Sequence, residues 1–213
     1  MARLLAVFAL VALLAASCSS GGGDKYAADV DNAWFPLSPG TTYTYRGVKD
    51  GRQAREVLTV TDRTKKVDGG RARVLDDRLY LDGELAERTT DWYAQDDDGN
   101  VWYLGEETAE LEDGKVVSTE GSWETGVDGA EAGIYMPADP KVGDSFRQEY
   151  YKGHAEDHFR VVSLKGDMLV TREWTPLEPD VVDFKTYKRG VGTVKERSAD
   201  GAERLRLVST SPS

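Results

Sequence analysis

The stretch "DWYAQDDDGNVWYLGEE", residues 91–107, packs aromatics and carboxylates together more densely than any other part of the chain. Three readings compete for it: a calcium loop, the floor of an active site, or a hairpin with an acidic tip. A calcium loop of the Asp-x-Asp-x-Asp-Gly kind needs carboxylates at alternate positions, so that successive oxygens converge on one centre, and a late bidentate Glu. With Gly99 as the loop glycine, Asp96 and Asp98 fall where they should. The first position, however, is Ala94 and the twelfth is Gly105, with Glu106 one place late. The motif fails at both ends. As a hairpin the segment is complete: Trp92 pairs with Trp102 or Tyr103 across the strands while Asp98-Gly99-Asn100 turn the chain. Weak calcium binding at Asp96 and Asp98 is the lesser expectation.

The same rhythm runs outward in both directions. "TTYTYRGV" (41–48) and "AREVLTVTDR" (54–63) alternate apolar with polar residues, the period-two pattern of a half-buried strand. Asp-Gly pairs at 50–51, 68–69, 82–83 and 113–114 punctuate the runs, and Asp-Gly between alternating segments is a strong hairpin signal. "HFRVVSL", "MLVTREW", "VVDFKTY", "GTVKER" and "RLRLVST" continue the pattern. The expected fold is all-β, an antiparallel meander of about eleven to thirteen strands over residues 26–210. It forms one bent sheet or two β lobes of sandwich or half-barrel kind. Two internal echoes suggest halves at 33–125 and 134–210. "FPLSPGTTYTYRG" (35–47) matches "MPADPKVGDSFRQEYYKG" (136–153), and the opening stretch matches "DFKTYKRGVGTVKERSADG" (183–201).

Charge excludes one class of partner. The formal net charge of −11 leaves no basic face to neutralise phosphates, so nucleic acid is not expected. Residues 89–140 hold fourteen of the 38 acidic residues and a single base, Lys115. A run of this kind reads as a solvated acidic face, able to engage a basic partner and repelled by an anionic membrane surface.

The first seventeen residues read as a targeting segment: Arg3, then the apolar run "LLAVFALVALLAA" (4–16), too short to span a bilayer comfortably. The sole cysteine, Cys18, follows at once. "AASC" (15–18) resembles the lipobox of bacterial lipoproteins, although Ala15 stands where Leu is commonest. That resemblance implies cleavage before Cys18 and its acylation, palmitate included. Two or three chains at about 0.8 kcal/mol per buried methylene hold a protein on a membrane stably. Residues 18–25, "CSSGGGDK", then read as a flexible tether. Ser19, in place of the Asp that retains some lipoproteins at the inner membrane, fits an outer-membrane or outer-leaflet position.

"WFPLSPGTTYTY", "DWYAQDDDGNVWYLGEE", "GSWETGVDGAEAGIYMPADP" and "YKRGVGTVKE" together resemble a widespread group of secreted or lipid-anchored, β-rich bacterial proteins. The likeness spans roughly residues 33–197 and brings no established activity. More distantly, a bent sheet on a lipid tether resembles lipoprotein-carrier folds of the cell envelope.

Few residues look chemical. His154 and His158 in "GHAEDHF" stand four apart, as in His-x-x-Asp-His, close to a zinc-binding helical pattern, but their neighbours read as strands and turn. They are therefore expected in a surface turn, with zinc the lesser reading. No Gly-x-Ser-x-Gly elbow or phosphate loop occurs. Trp92, Trp102 and Trp123 belong in the core, or line a cleft that stacks a ligand. The expected protein is extracytoplasmic and held to the membrane by its lipid. It carries a non-enzymatic binding or interaction domain without a resident cofactor, for an envelope protein partner. A carrier of an apolar ligand and a hydrolase are the alternatives.

Overall fold

Four of the Asp-Gly pairs turn the chain as the sequence predicts. Asp50, Asp68, Asp82 and Asp113 all take positive φ near 50°, each followed by a glycine with positive φ, the geometry that matches the twist of a tight hairpin. In the computed structural model, which describes residues 24–211, these turns join strands of a wholly β fold. The first meander comprises β1 (Thr42–Lys49), β2 (Arg52–Val67), β3 (Gly70–Leu81), β4 (Glu84–Gln95) and β5 (Val101–Glu112). Short pieces follow: β6 (Lys115–Ser118), β7 (Trp123–Glu124), β8 (Glu131–Met136), β9 (Ser145–Arg147) and β10 (Glu149–Tyr150). A second meander closes the chain with β11 (His158–Lys165), β12 (Met168–Trp174), β13 (Val182–Lys188), β14 (Gly192–Ser198) and β15 (Glu203–Ser211).

All fifteen strands belong to one sheet, and the pairings are antiparallel. The count exceeds the expected eleven to thirteen because the runs "KVVSTEGSWE" and "SFRQEYYKG" each break into two short strands, β6 with β7 and β9 with β10, and β8 is added between them. Both proposed halves, 33–125 and 134–210, contribute strands to this one sheet, which curves into a nearly closed barrel with two walls. β1 joins the walls on one side by pairing with both β2 and β15. On the other side the segment from Ser145 to Tyr150 does the same work. Its first part pairs with β11 and its last with β8, with buried Gln148 between them. The two sequence echoes fall at equivalent places: β1 and the Ser145–Tyr150 segment are the seams, and β4–β5 and β13–β14 are the third and fourth strands beyond each.

One mouth of the barrel is plugged. Residues 30–37 cross it, with Val30, Trp34, Phe35 and Leu37 all buried in the main core beside Tyr43, Met136, Phe159, Leu169 and Tyr187. Asn32 fastens the plug, its Nδ2 donating to the carbonyls of Gly99 and Pro137 and its Oδ1 accepting from the Trp34 amide at 2.9 Å. The β4–β5 and β13–β14 turns lie at this end, since the Gly190 amide donates to the Ala33 carbonyl. The β1–β2 and β14–β15 turns meet at the opposite end, where the Asp50 amide donates to the Ala202 carbonyl. A smaller cluster on the outer face packs Trp92, Val74, Leu104 and Val67 under Tyr26.

The seam depends on a missing side chain. A Cβ on Gly133 in β8 would lie 2.2 Å from the Arg147 carbonyl oxygen and 2.4 Å from the Gln148 carbonyl carbon. Both are backbone atoms, so the clash cannot be relieved by a rotamer. Gly133→Ala is expected to destabilise the protein by about 1–3 kcal/mol, the usual cost of overpacking, read as a lower midpoint in guanidinium unfolding. An unchanged midpoint would show that the closing segment has slack.

Candidate functional site

Alternation along each strand sends every second side chain inward, and here the inward rows change character partway along. Near the plug they are aromatic or aliphatic. Beyond it they turn acidic. The rows read Ala54-Glu56-Leu58-Val60 in β2 and Leu75-Asp77-Leu79 in β3, while β4 sends in Glu87, Thr89, Asp91 and Tyr93. The resulting cavity, about 250 Å³, is lined by Glu56, Asp77, Glu87, Asp91, Glu106, Glu149, Asp157, Glu173 and Glu196, and by one cation, Lys185. Phe35 and the rings of Tyr45, Tyr93, Tyr103 and Tyr135 complete the wall. A second chamber of about 120 Å³ shares Glu56, Asp77, Glu87 and Glu196 with the first and leads to Lys49 and Glu203. Those two form a 3.1 Å ion pair whose side chains are 35% and 22% exposed, which marks the open mouth.

Some of the carboxylates are held within the wall. Tyr103 donates its hydroxyl to Asp91 at 2.6 Å. Lys185 pairs with Glu173 at 3.1 Å, and Glu173 also accepts from Thr171 at 2.8 Å. Others are not. Glu149 is 7% exposed and its Oε2 has no hydrogen-bond partner. The Trp123 indole faces it and its nitrogen is also unpartnered, so the two attract without a bond of good geometry. Asp77 Oδ1 is buried and lacks a donor unless Glu56 beside it carries a proton.

Burial dominates the proton affinities. It pushes Asp77 and Asp91 up to about 7, and Glu149 and Glu196 up to about 8. Glu56 and Glu106 rise well above the usual carboxylate range for the same reason, reinforced by neighbouring acids. Burial opposes the charge on Lys185, but Glu173 and the other surrounding groups outweigh it and hold its pKa well above the ordinary lysine value. The lumen near neutrality therefore holds protons on some carboxyls and a fixed ammonium on one wall.

The residues singled out in the sequence are scattered around this cavity. The 91–107 hairpin forms, with a shifted register. A bulge sets Trp92 opposite Gly105, and Tyr93 instead stacks on Tyr103 at 4.6 Å. Gly105 has φ of 139°, and its absent Cβ would lie 2.4 Å from the Trp123 carbonyl oxygen. The bulge there turns Glu106 inward, opposite Asp91. Asp96 binds the turn itself, accepting from the Asn100 amide at 2.8 Å and from Trp102 Nε1 at 2.7 Å. Burial raises its carboxyl, but these bonds more than offset that and hold it below the usual range. Asp98 is exposed. His154 stacks on Tyr151 at 4.4 Å in a turn, and His158 opens β11 and stacks on Trp174 at 5.6 Å. Among the described residues no three His, Asp or Glu side chains assemble as a metal-ligand group. Trp92 lies in the outer cluster with Lys65 Nζ 3.2 Å over its ring, Trp102 packs beside Tyr26, and only Trp123 of the three faces the interior. Cys18 lies outside the described residues, as do the leader and most of the tether.

Ten of the fourteen acids at 89–140 are exposed, in keeping with a solvated face. Asp91 and Glu106 are the exceptions that point into the lumen. Most lumen acids come from elsewhere in the chain, and the solvated-face reading does not find them. One signal in the sequence marks three of them, a carboxylate whose neighbours two places away on both sides are apolar: Glu56 between Ala54 and Leu58, Asp77 between Leu75 and Leu79, and Asp157 between Ala155 and Phe159.

Neither models of known protein families nor curated proteins match the chain. Among solved structures it is similar to a "putative lipoprotein" from Parabacteroides distasonis, with 11% identity over 85% of this chain and 100% of that one and a TM-score of 0.40.

The raised carboxyls fix the sign of the pH response. An unfolded Asp or Glu titrates near about 4, so between there and about 8 the folded chain binds more protons than the unfolded one. This contribution to stability is fully present below about pH 4 and is lost as pH rises through 7 and 8. Melting temperature at constant ionic strength is expected to fall between about pH 5 and pH 9, opposite to a protein held by ordinary salt bridges. Replacing both Glu149 and Glu196 with Gln should flatten the fall. A melting curve that rises over this range would contradict the assignment.

Proposed function

We propose that the chain is a lipid-anchored protein of the bacterial cell envelope, tethered through Cys18, and that its barrel is a binding domain whose site is the lumen. Support for the anchor comes from the leader, the lipobox-like "AASC" and the Gly/Ser run that follows. The observation that carries the binding reading is the cavity: a polar, acid-lined space inside a barrel plugged at one end, with an unpartnered carboxylate oxygen in its wall. A structural core of this size gains nothing from lining its interior with carboxyls, because each one drawn inward loses hydration that its neighbours only partly replace. Such groups stay where something binds them. The lining argues against the apolar cargo entertained from sequence, since a carrier of that kind needs inward Leu, Val and Trp where this lumen has Glu, Asp and Tyr.

Two measurements test the two parts. Cys18→Ala should abolish incorporation of labelled palmitate, and a chain carrying an ordinary secretory leader in place of residues 1–18 should move from the membrane to the soluble fraction. Retention of that chain on membranes would remove the anchor from the account. Native mass spectrometry of the full chain, released from detergent micelles after production in a bacterial envelope, should show a small-molecule adduct. That adduct should be lost when Glu149 is changed to Gln. A bare mass under every gentle condition would count against lumen binding and return attention to the exposed acidic face.

A further inference from the structure

Resting on the reading of the lumen as the binding site, we propose that its ligand is a linear aliphatic diamine or polyamine. Charge sets the sign. Nine carboxyls face one ammonium around the larger chamber, and that ammonium is already committed to Glu173. An anionic or neutral solute would leave the excess uncompensated; a cation relieves it. Glu149 supplies the specific point of attachment: it is buried, it lines the cavity, and its Oε2 has no hydrogen-bond partner.

Geometry favours an organic cation over a metal ion. A divalent metal needs several oxygens converging on one centre at 2.0–2.6 Å, roughly, and among the described residues no such group of three exists. The acids are instead spread along two adjoining chambers that share Glu56, Asp77 and Glu196 in their common wall. That distribution suits a chain with ammonium groups at intervals, one end against Glu149 and the other at the shared wall. Aromatic rings stand among the carboxyls: Tyr93 stacks on Tyr103 at 4.6 Å, and Tyr135 meets Tyr93 edge-on at 4.8 Å. The rings that line the cavity offer apolar surface to the methylene groups of such a chain, a contact a bare ion would not make. The chambers, about 250 and 120 Å³, suit a slender chain and not a drug-sized molecule.

The test is isothermal titration of the full chain in mild detergent with putrescine and spermidine. Butylamine, butanediol and calcium chloride serve as comparisons. Saturable binding of putrescine or spermidine is expected, at least tenfold weaker for butylamine and undetectable for butanediol. Binding should release protons, so the heat should vary with the ionisation enthalpy of the buffer. Glu149→Gln should weaken the diamine at least tenfold, and where that variant does not fold, Glu196→Gln provides the same comparison from the shared wall. Calcium binding in preference to every amine would overturn the ligand class while leaving the lumen as the site. So would failure of both polyamines in a protein that still carries a Glu149-dependent adduct in native mass spectrometry. No response to any probe together with a bare native mass would overturn the lumen reading as well.

Discussion

Closure of the sheet by a segment that serves both of its edges is the constraint on which the rest of this structure depends. Ser145–Arg147 completes the hydrogen bonding of β11, and one residue later Glu149–Tyr150 completes that of β8. An open sheet of this length would present two long edges to solvent, each a template for aggregation. Closing it removes the edges but encloses a volume that side chains must fill. Fitting two walls to one short connector leaves little latitude, which is why Gly133 lies against backbone with no space for a methyl group. The same connector carries Glu149, so the lumen carboxylate whose Oε2 has no hydrogen-bond partner is held by the element that makes the lumen exist.

The filling is divided by function. Residues 30–37 and the aromatic rows beneath them form an ordinary close-packed core at one end, with Trp34, Phe159, Leu169 and Tyr187 almost fully buried. This end supplies hydrophobic stabilisation. The middle of the barrel does the opposite: its carboxyls are crowded, desolvated and largely without partners, and their proton affinities rise accordingly. Binding sites commonly draw on stability built elsewhere in the fold, and here the donor and the recipient are adjacent layers of one barrel.

The strands and turns were legible in the sequence because both depend on local rules. Asp-Gly at positions 50–51, 68–69, 82–83 and 113–114 needs only its own backbone to specify a turn, and alternation needs only near neighbours. Closure was not legible, since β9 and β10 are two or three residues long and their pairings bridge distant parts of the chain. The bulge at Gly105 likewise altered the register of a hairpin whose ends were correctly placed. The site was missed for a different reason. A polar residue in an alternating strand is ordinarily assigned to water, but in a barrel with a polar lumen both faces alternate. Glu56 and Arg55 then look alike in the sequence while one faces in and the other out.

The plug has a consequence for direction. Tyr26, whose carbonyl accepts from the Arg71 amide beside the β2–β3 turn, and the Asn32 anchor both belong to the closed end of the barrel. Cys18 stands eight residues before Tyr26, a span of at most about 28 Å when fully extended. A lipid on Cys18 would therefore place the sealed end toward the bilayer and turn the Lys49–Glu203 mouth toward the aqueous side. The barrel would stand on the membrane like a cup on its base, sampling what diffuses past the surface and receiving nothing from the lipid beneath it.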